Sequence, residues 1–133
     1  MNKIIILDTN FLLIPIEFKV DIFSEIDRIC HFNYRLCIFE QSINELKNII
    51  EKQKGINKRA AKFALKLIKL KNLEVIKCEQ KDVDSLILEC IDKNTLVATQ
   101  DSILKKELIK KGASLIILRN KSYLELKGEK ISF

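Results

Sequence analysis

The segment Lys3-Ile4-Ile5-Ile6-Leu7 is apolar after its first residue and ends abruptly in Asp8-Thr9-Asn10. A continuous run of mostly β-branched residues bounded by polar ones predicts a strand buried on both faces of a sheet. Comparable runs recur at 34–39, 73–78, 95–98 and 114–118. Between them the apolar positions fall at helical spacing. Ile22, Phe23, Ile26 and Ile29 share one face of 20–29, and Ile43, Leu46, Ile49 and Ile50 share one face of a helix from about Gln41. Ala60, Phe63, Ala64, Leu67 and Leu70 form the apolar face predicted for 58–71, with Asn57 as its cap. Val83, Leu86, Ile87, Cys90 and Ile91 do the same over 82–92. A last helix, 102–111, stops at Gly112. Phe11 to Ile14 predict one helical turn before Pro15, and the tail 123–133, alternating weakly around Gly128, predicts an edge hairpin.

Strands alternating with helices imply right-handed crossovers and a mostly parallel sheet covered on both sides. The expected fold is therefore a three-layer α/β/α domain built on five strands. With 133 residues and no internal repeat or linker, the chain reads as one domain, 1–133.

Composition narrows the partners. Hydrophobic residues make up 47% and charged residues 32%, as in a globular protein. The net charge of +6 and a pI near 9.1 favour polyanions, nucleic acid above all. The apolar stretches are too short to cross a bilayer, and Asp8 interrupts any secretory pattern, so a cytoplasmic protein without membrane contact is expected. Cys30, Cys37, Cys78 and Cys90 show no paired spacing and there is one histidine, His31, so buried thiols are expected rather than a zinc site. No serine or histidine has the partners of a nucleophilic triad.

Acidic residues offer more. Asp8 ends strand one and Asp101 follows strand four in Thr99-Gln100-Asp101. Neighbouring strands at the switch in winding direction would bring both into one crevice, where open α/β sheets bind ligands. Asp84 lies in the first turn of the helix before strand four, and Glu45 sits beside inward-facing Leu46. Each alone is also an ordinary helix cap or surface acid. Together they pose a physical problem, since two carboxylates about 4 Å apart repel by roughly 4 kcal/mol at an effective dielectric of 20. A divalent cation removes that penalty, and oxygen-only ligands select Mg²⁺ or Mn²⁺ over zinc. Such a site on a basic domain suits phosphodiester hydrolysis by a metal-activated water.

On the motifs Asp8-Thr9-Asn10, Glu45-Leu46, Asp84-Ser85-Leu86-Ile87 and Val97-Ala98-Thr99-Gln100-Asp101, the chain resembles the PIN-domain ribonucleases over nearly its whole length. The resemblance implies strand order 3-2-1-4-5, a metal-dependent endoribonuclease, and Asp8, Glu45, Asp84 and Asp101 as catalytic and metal-binding acids; four acids without a histidine constellation point to cleavage by a metal-activated water that leaves 5′-phosphate and 3′-hydroxyl ends. Thr9, Asn10 and Thr99 would then be supporting polar residues. The Val97-to-Asp101 segment and Leu118-Arg119-Asn120-Lys121-Ser122-Tyr123-Leu124 are similar to the archaeal and eukaryotic rRNA-processing branch. The sequence departs from the family where Phe39-Glu40-Gln41-Ser42 replaces a helix-starting proline, leaving Glu40 as an alternative to Glu45. Asp82 similarly stands as an alternative to Asp84.

The implied partner is RNA, an rRNA precursor in particular; a homodimer is compatible with the reading. A VapC-like toxin, with an antitoxin partner, and a non-catalytic PIN-like RNA-binding or assembly module are the alternatives. A dehalogenase-type phosphatase would need an acid where Asn10 stands, and a receiver domain one after strand three. Lys58, Lys62, Lys66 and Lys69, with Lys105, Lys106, Lys110 and Lys111, are either solvated faces or contacts to an RNA backbone. Phe11, Phe18, Tyr34 and Tyr123 are candidates for base stacking.

Overall fold

The computed structural model of the chain describes residues 2–128. Its centre is β1 (Lys3–Leu7), whose alternate side chains go to opposite faces. Ile5 and Leu7 enter a large core on one side of the sheet, and Ile6 enters a smaller one on the other. This is why the run has no polar position after Lys3: both faces are covered.

A 3-10 turn (Thr9–Leu13) leads from β1 into the short helix α1 (Ile14–Glu17), which starts with Pro15 in its first turn. Helix α2 (Ile22–Ile29) is capped by Asp21, whose carboxylate accepts from the backbone N–H groups of Phe23 and Ser24. Then come β2 (Tyr34–Phe39), α3 (Glu40–Lys52), α4 (Ile56–Leu70) and β3 (Glu74–Ile76). The chain continues through α5 (Val83–Cys90), β4 (Thr95–Ala98), α6 (Ser102–Lys110), β5 (Ser114–Arg119) and β6 (Tyr123–Lys127). No described helix is long and apolar enough to cross a membrane.

The sheet order is β3-β2-β1-β4-β5-β6. The five parallel strands have the expected 3-2-1-4-5 order, and β1 pairs with both β2 and β4. The sixth strand corrects the expected count. β6 runs antiparallel to β5 after a tight turn in which Asn120 and Lys121 both take φ near +50° and Ser122 N–H donates to the Arg119 carbonyl. Of the hairpin expected in the tail 123–133, the strand 123–127 pairs with β5, and 129–133 lie outside the described residues. Helix α2 covers the open edge of β6: Glu25 accepts from the Leu124 N–H at 2.9 Å, and Arg28 donates to the Leu124 carbonyl at 3.0 Å. An edge strand with its backbone groups occupied is a poor template for another chain.

Other differences are local. Gly55, at φ +69°, stands at the N-cap of α4, where Asn57 was expected; the Asn57 side chain instead donates to Gln53. The buried face of α4 is Ala60, Ala61, Ala64, Leu67 and Ile68, whereas Phe63 is 37% and Leu70 77% exposed. The helix is rotated because it lies against α3, α1 and the 3-10 turn together, and small alanines permit that close approach. Cys30 and Cys37 are buried, but Cys78 falls beyond the short β3 and Cys90 is exposed at the end of α5. Phe11 is core, and Tyr34 packs edge-on against Phe32 and donates to Asp27, so both serve the fold.

The rotation of α4 has a direct check. Ile68→Ala should cost about 2–5 kcal/mol in urea unfolding, whereas Leu70→Gln should stay within about 0.5 kcal/mol of the parent. Comparable losses at both positions would restore the apolar face expected from spacing.

Candidate active site

The parallel pairing of β1 with β4 aligns Leu7 with Ala98, so the next residues, Asp8 and Thr99, leave the sheet side by side. The Asp8 backbone N–H still donates to the Ala98 carbonyl at 2.9 Å. Asp8 is 4% exposed, and its carboxylate is held on both oxygens. Oδ1 accepts from the Thr9 N–H at 2.8 Å, and Oδ2 accepts from the Thr99 hydroxyl at 2.8 Å. Thr99 Oγ1 in turn accepts from the Asp101 N–H at 3.0 Å. One buried threonine therefore ties the two strand ends together.

Asp101 performs two tasks. Oδ1 caps α6 by accepting from the N–H groups of Ile103 and Leu104, at 2.9 and 3.0 Å, and the carboxylate lines the same cleft as Asp8. From the opposite wall, α3 brings Glu45, whose Oε1 accepts from the Thr9 hydroxyl at 2.6 Å. The Thr9 hydroxyl also shares a hydrogen bond of 2.8 Å with Ser42, one turn earlier on α3 and fully buried. Ser42 was not singled out from the sequence. A serine three residues before an acid on one helix face was the available signal.

Asp84 completes the cleft from the first turn of α5. Asp82 also lines it, but its carboxylate accepts from the Ser85 N–H and hydroxyl, which holds it below the usual range. Asp84 is the acid that faces the others. Partial burial, followed by the charges of Asp8 and Asp101, pushes its carboxyl up to about 6. Asp8 is raised mainly by its burial; the Thr99 and Thr9 hydrogen bonds oppose this, and Glu45 and Asp101 add to it. Glu40 is exposed at the start of α3 and is not among the lining residues.

The cleft has a volume of about 210 Å³ and is lined by Asp8, Thr9, Asn10, Glu45, Asp82, Val83, Asp84 and Asp101. Five of these are acids and none is a cation. Asn10 is exposed at the rim, its carbonyl 3.5 Å from the Gln100 amide nitrogen. Lys58, Lys62, Lys66, Lys69, Lys105 and Lys106 do not line it.

The donor set suits a hard divalent cation, being all oxygen with uncompensated negative charge. Among the described residues, however, no group of three His, Cys, Asp or Glu side chains stands close enough to hold one ion with protein ligands alone. Magnesium commonly keeps several waters and takes one or two carboxylates, which this cleft can provide.

A parallel α/β sheet with an acidic cleft at its winding switch defines the class of protein, and comparison with known families gives the same answer. The model of the PIN-like domain family matches residues 5–121, and the chain belongs to that family, among the PIN-domain ribonucleases. Divalent metal ions serve these enzymes generally. Ribonuclease VapC4 of Methanocaldococcus jannaschii is 30% identical over 128 residues, covering 93% of this chain and 96% of that protein. The PIN domain endonuclease Utp24 superposes with a TM-score of 0.78 at 25% identity, over 94% of this chain and 91% of that one. A domain of a functionally unknown protein from M. jannaschii shares the fold, with a TM-score of 0.57 at 14% identity over 98% and 97% of the two chains.

The acid crowding carries a pH signature. Folded Asp84 holds its proton more tightly than the unfolded chain, so in metal-free protein it opposes folding above about 6. That penalty fades as pH falls from 6 towards the ordinary aspartate value of 3.8. Asp84→Asn should therefore raise the metal-free melting temperature by a few degrees at pH 7 and leave it unchanged near the ordinary aspartate value. An equal shift at both pH values would mean that burial and the neighbouring acids do not raise the Asp84 carboxyl in the folded protein.

Proposed function

We propose that this chain is a Mg²⁺- or Mn²⁺-dependent endoribonuclease that hydrolyses RNA phosphodiesters, leaving 5′-phosphate and 3′-hydroxyl ends. The observation that carries the reading is the convergence of Asp8, Glu45, Asp84 and Asp101 on one cleft without a cation to neutralise them. One or two of Asp8, Glu45, Asp84 and Asp101 would ligate the ion directly, and the others would reach it through its bound water. When bound, it supplies the Lewis acidity that lowers the pKa of water and offsets charge growing on the phosphate.

The chain's own contribution is positional. Thr99 and the Thr9 N–H hold Asp8 in one orientation, so little reorganisation remains to be done during reaction. The Thr9 hydroxyl, backed by Ser42, fixes Glu45 at the distance of the opposite wall. Asp101 is oriented by its helix cap. The acidic lining repels free RNA until cation and phosphate arrive together, which couples substrate binding to metal binding.

We assign the substrate to rRNA precursors, in keeping with the likeness of Val97–Asp101 and Leu118–Leu124 to the rRNA-processing branch. The second reading, a toxin ribonuclease paired with an antitoxin, is favoured by the 30% identity to Ribonuclease VapC4 along nearly its full length. Cleavage of precursor rRNA at a single site supports the first. Cleavage confined to other RNAs, with inhibition by the product of an adjacent small gene, supports the second.

Asp8→Asn and Asp101→Asn should each lower the cleavage rate at least about a hundredfold, the scale of losing an aligned catalytic group, while RNA binding persists. End analysis should find 5′-phosphates, and excess EDTA should stop the reaction. Activity retained in EDTA, or 2′,3′-cyclic phosphate ends, would rule out the proposal.

A further inference from the structure

The charges around the cleft are sorted by side. The segment between β3 and β4 that carries α5 holds five acids, Glu79, Asp82, Asp84, Glu89 and Asp92, against three bases, Lys77, Lys81 and Lys93, and Lys81 is paired to Glu89 at 2.9 Å. Across α6 the sign reverses. Helix α6 starts at the cleft with Asp101 and divides it electrostatically: Glu107 lies towards Asp84, on which its charge acts. Lys105 leaves the helix on the other side, towards β5 and β6.

Strand register shows what Lys105 meets there. Leu115 and Ile117 of β5 enter the core beneath α5 and α6, so Arg119, two residues on, points to the same face. Residues directly opposite on β6 share that face: Tyr123 faces Arg119, Glu125 faces Ile117, and Lys127 faces Leu115. Leu124 and Leu126 point the other way, into the core under α2. Among the described residues, Tyr123 and Lys127 on the α6 side of β6 are exposed. A groove between α6 and β6 results. Lys110 and Lys127 line it together; the half-buried Lys105 lies within reach of the charges of both Lys127 and Arg119, and Arg119 ends β5.

Among the described residues, Glu125 is the acid paired with one of these cations, at 3.4 Å from Arg119. The charges of Arg119 and Lys127, after partial burial, hold the Lys105 ammonium below its usual value, while Asp101 acts on it in the opposite sense. Lys105 is thus coupled electrostatically both to the groove and to the cleft. From Arg119 to Lys127 the groove spans four residue steps of β5, about 13 Å. That length accommodates about two phosphate intervals of an extended strand.

Resting on the ribonuclease reading, we propose that a single RNA strand runs from the acidic cleft along the groove between α6 and β6, its phosphates on Arg119, Lys105 and Lys127. The α5 side is closed to it by like charge. The strand therefore crosses the cleft in one direction relative to the sheet, leaving past β5 and β6 rather than over α5. This route is distinct from the lysine stripe of α4, which lies on the opposite face of the sheet.

The test uses the full chain carrying Asp8→Asn, so that binding is read without cleavage, and a labelled oligouridine strand long enough to span cleft and groove. Adding Lys105→Ala, Arg119→Ala and Lys127→Ala should weaken binding at least about tenfold and flatten the log–log salt dependence by about two, or about 0.7 per lost contact. Lys127→Glu alone, at an exposed position, should shift affinity in the same direction and guards against misfolding of the triple variant. Lys81→Ala on the α5 side should change nothing. Unchanged affinity and salt slope in the groove variants, or their loss only in Lys62→Ala/Lys66→Ala/Lys69→Ala, would overturn the route. Cleavage by the parent chain is scored separately: a parent that binds through the groove but cuts no RNA sinks the ribonuclease reading and leaves the groove standing as a binding surface.

Discussion

The buried carboxylate of Asp8 is the constraint on which the rest of this molecule depends. A charged group taken almost wholly out of water is costly unless it is hydrogen-bonded and its charge is met. Here the hydrogen bonds come from two different places in the chain, the Thr9 backbone and the Thr99 side chain. The first is local, but the second exists only if β1 and β4 are neighbours in one particular register. A slip of one residue would turn Asp8 into a sheet interior and Thr99 away from it. Strand pairing and site assembly are therefore one event, and the charge that remains uncompensated is what the cleft has to offer a cation.

From that centre the structure distributes its work unevenly. The side of the sheet bearing α1 to α4 holds the large core and the 3-10 turn that presents Thr9 to Glu45. The side bearing α5 and α6 holds a smaller core and supplies Asp84 and Asp101. The acids thus come from both layers and meet over the edge of the sheet between them. Membership of the PIN-like family and the close fit to a PIN domain endonuclease agree with this reading. The basic groove beside β6 extends it, because a polyanion needs an approach that the acids do not bar.

Much of the architecture was legible from periodicity. The limits of β2 and β4 agree with the apolar runs, since buried strands bounded by polar residues leave little freedom in where they begin and end. The face of α4 was less accurate. Five apolar positions at heptad-like spacing pointed to Phe63 and Leu70, but the helix turns Ala61 and Ile68 inwards because three neighbours press on it at once. Spacing reports an amphipathic face only to within about one position when small residues lie on its border. The choice between Asp82 and Asp84 depended on the capping bonds of Ser85, which composition cannot reveal.

What the sequence determined by itself was local: where strands and helices form, that Asp8 and Asp101 stand at strand ends, and that the chain is basic. Those follow from side-chain chemistry and backbone preference over a few residues. Tertiary structure decided everything that required two distant segments to meet. It paired β6 with β5, placed Ser42 behind Thr9 and Glu45, brought Asp84 within reach of the charges of Asp8 and Asp101 while Asp82 caps α5 at the same cleft, and set Lys105 near Arg119 and Lys127. The physical reason is that register and helix rotation are set by the packing of whole faces, a property of pairs of elements rather than of either sequence alone.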